Sequence, residues 1–313
     1  MEKACFLLIL LTLFPILNGC SDDETLADNS TEAIPDIVPD HEIIKIPVVV
    51  HVITFTPNPI AISDQKIQSQ ITVLNQDFRK KNSDWTNTPD EFIDLVADVG
   101  IEFYLATKDP EGQPTNGIIR SSGEINGWDG RSTKDEPIEN FPLYFTSQGG
   151  QDAWPNDKYL NIWIADLSDI KGGLWMGGYA HLPGCDPRMD GVVIDPRVFG
   201  TLPPLKAPYT LGRTATHEIG HWLNLHHVSG KEGSCNDGED GDYVDDTPLQ
   251  CKQYRGKPSY PQYSCGTSDM FMNFMDRVDD QAMYMFTKGQ KQRMRNVFNK
   301  DGLRRNLYLN IRE

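Results

Sequence analysis

The chain has 313 residues, a formal charge of −16, 38% hydrophobic and 10% aromatic residues. That is enough apolar material for one large domain, or for two lobes around a cleft. The acidic balance excludes a nucleic-acid-binding surface, which needs a basic face, and leaves protein or peptide as the expected partner.

The first predicted element is the apolar run Cys5–Leu17. It has the length of a signal-peptide core and is too short to cross a bilayer. No later run is long enough to span one either. Leu17-Asn18-Gly19-Cys20 follows and fits a bacterial lipoprotein signal, in which residues 1–19 are removed and Cys20 is acylated. An ordinary secretion signal cleaved nearby is the alternative. The acidic run Ser21-Asp22-Asp23-Glu24 resembles the surface-export signal of Bacteroidota lipoproteins. Residues 20–42 are acidic and polar, with Pro35 and Pro39, and read as a flexible tether. A lipid anchor is then the only expected contact with membrane.

Lys45–Phe55, rich in β-branched residues, predicts a strand. Ser63 and Asp64 are helix caps, followed by Ile67, Ile71, Leu74 and Phe78 at helical spacing. Ile101–Ala106 and Tyr159–Leu167 read as strands, and Gly177–Leu182 with Gly191–Asp195 as an edge pair beside a cleft. The Gly- and Trp-rich stretch Lys171–Gly178 is a loop. Residues 212–224 and 288–299 read as helices, and no internal repeat is present.

The chemistry concentrates in His217-Glu218-Ile219-Gly220-His221-Trp222-Leu223-Asn224-Leu225-His226-His227. Residues four apart share a helix face, so His217 and His221 can point two imidazoles at one ion. Glu218 then stands beside an open coordination position, where a water would bind. Zinc lowers the pKa of such a water toward ~7, and a nearby carboxylate can take its proton. A sharp turn at Asn224 would end the helix and swing His227 back beneath the metal, since Asn tolerates the left-handed conformation. The spacing His217 to His227 is that of H-E-x-x-H-x-x-G-x-x-H, with Asn224 at the Gly position. His226 is then a neighbour and not a ligand. The pattern reads as metal-assisted hydrolysis of an amide bond, and an amphipathic core helix that merely carries histidines is the bland alternative.

Around this motif the chain resembles the pappalysin-type metzincins. The resemblance rests on Ile46-Pro47-Val48-Val49-Val50-His51-Val52-Ile53, Tyr159-Leu160-Asn161-Ile162-Trp163, Gly241-Asp242-Tyr243-Val244-Asp245-Asp246-Thr247-Pro248, Asn273-Phe274-Met275-Asp276 and Met285-Phe286-Thr287-Lys288-Gly289-Gln290. It runs from about residue 43 to about 300. It implies an α+β metzincin fold over 43–313: a mixed twisted sheet, an active-site helix above a cleft, and a mostly irregular C-terminal lower subdomain. It implies a secreted zinc endopeptidase acting on protein or peptide substrate. The alternative from another class is a surface-anchored binding module or adhesin that keeps the fold. Intact Glu218 argues against that alternative, because capture needs no general base.

The resemblance also implies roles. Met275 is the Met-turn residue, a packed base under the site and no ligand. Relatives often carry Tyr two residues later to assist the oxyanion, and here Arg277 stands there, as an oxyanion or cleft residue. A pro-segment that blocks the metal is common in the family, and a short one would lie within 20–42. Of the six cysteines, Cys235–Cys265 is the bridge the family implies. Cys251 would pair in relatives with a cysteine where this chain has Ala282, so it either pairs with Cys185 or stays free. Relatives bind calcium in the loop matching the acidic run 236–247, which implies Asp242 with the carbonyls of Val244 and Thr247 as ligands. A solvated acidic loop is the alternative. Asp279 and Asp280 either line a pocket favouring Arg or Lys after the scissile bond or are solvated loop charges.

Overall fold

The computed structural model describes residues 34–55, 59–123, 137–168, 175–236 and 241–312. The expected signal peptide, Cys20 and residues 21–33 lie outside them, as do 171–174 of the Gly/Trp-rich loop and 237–240 of the acidic loop.

The sheet is built on β1, Ile44–Phe55. Its first half pairs in parallel with β2, Ile101–Leu105, and its second half with β3, Ile118–Gly123, on the same edge. On its other side lies β4, Leu160–Ile164, then β6, Gly191–Ile194, both parallel, and finally the short antiparallel edge strand β5, Gly178–Ala180. The predicted edge pair is therefore present, with β5 one residue shorter at its start and two at its end, and β6 one residue shorter at its end.

The β-branched run of β1 follows from burial on both faces, as parallel sheets require. Val48, Val50 and Val52 face the main core with Leu160, Ile162, Ile164, Val192 and Ile194. Ile53, Trp163 and Val193 face a second core with Phe141, Leu143 and Tyr144. His51 is wholly buried in this sheet, stacked on Trp163 and bonded to Asn161 through Nε2, with no partner at Nδ1. Burial pushes its pKa down to about 4.

Helix α1, Asp64–Asp77, is capped by the Ser63 hydroxyl, which accepts from the Lys66 amide at 3.1 Å. Ile67, Ile71, Leu74 and Phe78 are buried in the main core, as their spacing predicts. A single turn α2, Asp90–Ile93, follows, and α3, Arg213–Trp222, lies between α1 and the β5–β6 edge. Between α3 and α4, Lys288–Asn296, the described residues hold neither strand nor α-helix, which matches the expected irregular lower subdomain. Helix α5, Arg305–Asn310, ends the fold. Arg304, just before it, is buried against Asp190 through two hydrogen bonds, and its guanidinium lies 3.8 Å from the Trp222 ring centroid. The C-terminal segment is thus bolted to the last turn of α3.

One expectation needs correction. Residues 35–42 are not part of a tether, because they dock on the C-terminal elements and belong to one compact unit with the rest. Arg295 donates to the carbonyls of Pro39 and Glu42, the Val38 amide donates to the Asn299 side-chain oxygen, and Asp40 and Glu42 pair with Lys291 and Arg312. The acidic residues that suggested a solvated linker here are partners for a lysine of α4 and an arginine just past α5. Of the two possibilities open for Cys251, the structure has the free thiol: Cys185 and Cys251 are both unpaired. Cys235–Cys265 is formed as expected. The Cys251 sulfur lies 3.4 Å from that of Cys235, in a cluster with Cys265 that leaves Cys185 out. Cys185 instead sits half-buried near Asp190 and Arg304, where burial pushes its thiol up to about 12.

Candidate active site

Helix α3 ends where the sequence predicts. Its C-cap is Leu223, and Asn224 takes φ 76°, the left-handed conformation that terminates a helix. The chain doubles back and brings His227 to the two helical histidines. The three Nε2 atoms form a nearly equilateral triangle, with sides of 3.1, 3.1 and 3.2 Å. His226 points elsewhere, half-buried with its ring 5.2 Å from Tyr243.

The tautomers are set from behind. His217 Nδ1 donates to the Phe274 carbonyl at 2.6 Å and His221 Nδ1 to the Leu225 carbonyl at 2.8 Å. Their Nε2 lone pairs therefore face one another. Burial, more than mutual repulsion, drives the pKa of His217 down to about 3 and that of His221 to about 4, and His227 falls well below its ordinary value. Three neutral imidazoles converging on one point repel unless a cation sits between them. Ligand distances of ~2.0–2.1 Å in a tetrahedral zinc site would separate the nitrogens by about 3.3 Å, so the donor set and its spacing fit.

Glu218 is buried beside this triangle, and burial raises its pKa to about 8, with the Arg277 charge opposing. The edge strand presses against it. A Cβ at Gly178 would lie 3.2 Å from Glu218 Cγ and 2.9 Å from the Val193 carbonyl, so only glycine lets β5 pass.

Met275 lies beneath the site, fully buried, and its sulfur occupies the space of a Cβ on Gly220, 2.4 Å from that ideal position. The Met-turn is held by Asn273, whose side chain receives the Met275 amide and pairs reciprocally with Gln290. Asp276 adds three bonds, accepting from the amides of Tyr254 and Arg277 and from Gln250.

A cleft of about 550 Å³ opens over these groups. Arg277 lines it and is exposed, without a protein partner for its guanidinium among the described residues. Asp280 also lines it, while Asp279 does not. Asp280 is buried, and its Oδ2 accepts from the Leu211 amide at the start of α3. Its Oδ1 has no partner, and burial raises its pKa to about 6. Trp175, Met176 and Gly177, from the end of the Gly/Trp-rich loop, line the cleft as well, with Tyr209 and Thr214. Sequence reasoning gave that loop no role. Its glycine and tryptophan content was the available signal, but nothing in it says which way the loop folds.

In the acidic loop, Thr247 Oγ1 lies within 2.9 Å of both Asp242 oxygens and 2.8 Å from the Val244 carbonyl. One hydroxyl proton cannot serve three acceptors. Burial raises the Asp242 pKa to about 7.

Residues 145–299 match the family model described as pregnancy-associated plasma protein-A, a peptidase family. An extracellular metalloprotease of Pyricularia oryzae is 30% identical over 259 residues, 80% of this chain and 73% of that protein. The chain belongs to the pappalysin family of metzincin metalloproteases. Mature mirolysin of Tannerella forsythia, solved with a cleaved peptide, is 42% identical and superposes with a TM-score of 0.75 over 86% of this chain and 96% of that one. Extracellular metalloprotease 1 of Coccidioides posadasii is 44% identical over 145 residues, 49% of its length. With a likeness of that extent, the α+β metzincin fold expected from the motifs is the fold of this pappalysin.

Proposed function

We propose that this pappalysin is a secreted zinc endopeptidase in which His217, His221 and His227 hold the metal and Glu218 is the general base. The observation that carries the reading is the triangle of three imidazole Nε2 atoms beside a buried carboxylate, on the lining of an open cleft. Zinc, when bound, would polarise the scissile carbonyl and acidify water. Glu218 would take the proton of the attacking water as its oxygen adds to the carbonyl carbon, and would then pass it to the leaving amide nitrogen. Arg277, whose charge is felt by Glu218 and all three histidines, would offset negative charge developing on the carbonyl oxygen in place of a Tyr hydroxyl. The unpaired Oδ1 of Asp280 would receive a basic side chain, so that cleavage falls before Arg or Lys.

Edge strand β5 offers main-chain groups to an extended peptide, which supports a peptide as the substrate. The mirolysin structure with its cleaved peptide supports the same class. The extracellular naming of the fungal relatives supports secretion, and the signal-like N-terminus with Cys20 adds a lipid anchor. Residues 1–19 would be the signal and the catalytic domain would begin at the docked stretch from 35. The oxygens of Asp242, Val244 and Thr247 would take a calcium ion. A binding module would have no use for a buried carboxylate beside three metal-ready imidazoles.

Glu218→Ala should retain zinc, measured by metal analysis, and lose roughly 10²–10⁴-fold in turnover of denatured casein. Wild-type turnover that survives a strong chelator, or near-normal turnover by Glu218→Ala, rejects the mechanism. Cleavage-site profiling with a peptide library checks the basic preference assigned to Asp280.

A further inference from the structure

The arginines of this acidic chain are used almost completely. Every other described arginine gives its guanidinium to a carboxylate, a backbone carbonyl or both, from Arg79 with Asp98 to Arg312 with Glu42. Among the described residues only Arg255 and Arg277 make no such bond, and both line the catalytic cleft. Arg277 is accounted for by its closeness to Glu218 and the histidines. Arg255 has no role in the proposed chemistry. It lines the cleft together with Tyr209 and Asp280. Burial raises the Tyr209 phenol's pKa, Asp279 and Asp280 add to the rise, and Arg255 opposes it, so all three charges are felt at that phenol. Opposite charges thus stand together there, a buried carboxylate with a bare oxygen and an exposed guanidinium with a bare fork.

A guanidinium offers a planar fork that matches a carboxylate in two parallel hydrogen bonds. Asp280 cannot fill it, because its Oδ2 is committed to the Leu211 amide and its Oδ1 makes no bond. We propose that Arg255 is a specificity-determining residue that binds a carboxylate of the peptide substrate, adjacent to the basic side chain received by Asp280. The preferred substrate then carries neighbouring opposite charges next to the cut bond. This rests on the peptidase reading above. The carboxylate comes either from an Asp or Glu side chain or from the free C-terminus of a short peptide.

The test uses quenched fluorescent peptides that share one basic residue, with Glu, Gln or Lys at the one or two positions on either side of it. Each peptide is made as the C-terminal acid and as the amide. With the metal-loaded wild type, Glu should exceed Gln by about five- to tenfold in kcat/KM at one position, the size expected of a partly exposed charge pair, and the gain should lie in KM. Arg255→Gln should erase the ranking, and Arg255→Glu should transfer it to the Lys peptide. Raised salt should shrink it. A gain seen only with the free acid, and lost in Arg255→Gln, assigns the carboxylate to the chain terminus. Peptides cut at equal rates by wild type and Arg255→Gln, whatever the flanking charge, overturn the inference while leaving the peptidase standing. Failure of the wild type to cut any of them overturns the peptidase reading and this one with it.

Discussion

At the scale of single residues, the site depends on which nitrogen each histidine leaves bare. His217 and His221 present Nε2 because a carbonyl takes the proton on Nδ1. Removing one ligand of three leaves two imidazoles and loses the chelate geometry on which affinity rests. His227→Ala should therefore lower zinc occupancy sharply, while His226→Ala leaves it nearly full, both read by metal analysis of purified protein. The opposite ranking would mean that the chain after Asn224 turns the other imidazole inward. Sequence spacing alone favours His227, but His226 is only one position away. Their separate orientations, one ring in the triangle and one against Tyr243, are a result of the turn at Asn224.

At the scale of elements, the active-site helix is set by what packs beneath it. Gly220 lies between the two helical histidines, and the Met275 sulfur fills the place of its missing Cβ. A methyl group there overpacks a fully buried contact, which costs about 1–3 kcal/mol. Gly220→Ala should lose that much stability in urea unfolding and depress activity by tilting the histidine face. A loss under about 0.5 kcal/mol would mean that Met275 swings aside freely and is no support. The loop after α3 has a parallel dependence. Three oxygens share one hydroxyl proton around Asp242, an arrangement a hard cation relieves. Calcium should raise the Tm of the wild type, by mass action on the folded state, and should not raise that of Asp242→Ala. An equal response of both proteins to calcium would place the ion elsewhere.

At the scale of the whole molecule, the ends of the chain close the catalytic unit. Residues 35–42 lie along α4 and α5, and Arg304 ties the C-terminus to Trp222 and Asp190. Breaking a buried ion pair by removing one partner typically costs 3–5 kcal/mol, so this bolt is a structural commitment and not surface decoration. If Cys20 is acylated, the protein should partition with membranes and Cys20→Ser should release it, since each buried CH2 contributes about 0.8 kcal/mol. Wild-type protein recovered wholly in the aqueous phase, with a mature N-terminus other than residue 20, rejects the anchor.

The parts legible in the sequence are those that local spacing encodes. One helical turn separates His217 from His221, Asn224 marks the turn, and the β-branched run of β1 announces a strand buried on both faces. The Met-turn, the Cys235–Cys265 bridge and the α+β class came from matching stretches of sequence to a family. The docking of 35–42 is not legible because acidic residues look alike whether they face water or, as Asp40 and Glu42 do, Lys291 and Arg312 more than 250 positions away. Cys251 was left undecided for a related reason, as a cysteine's partner is set by where two loops meet. Only the tertiary structure put Trp175 and Arg255 in the cleft and left Asp280 with one bare oxygen. It also brought the Phe274 carbonyl 57 positions along the chain to orient His217. Periodicity reports which face a residue occupies on its own element. What that face meets is decided by packing, which is a property of the whole chain.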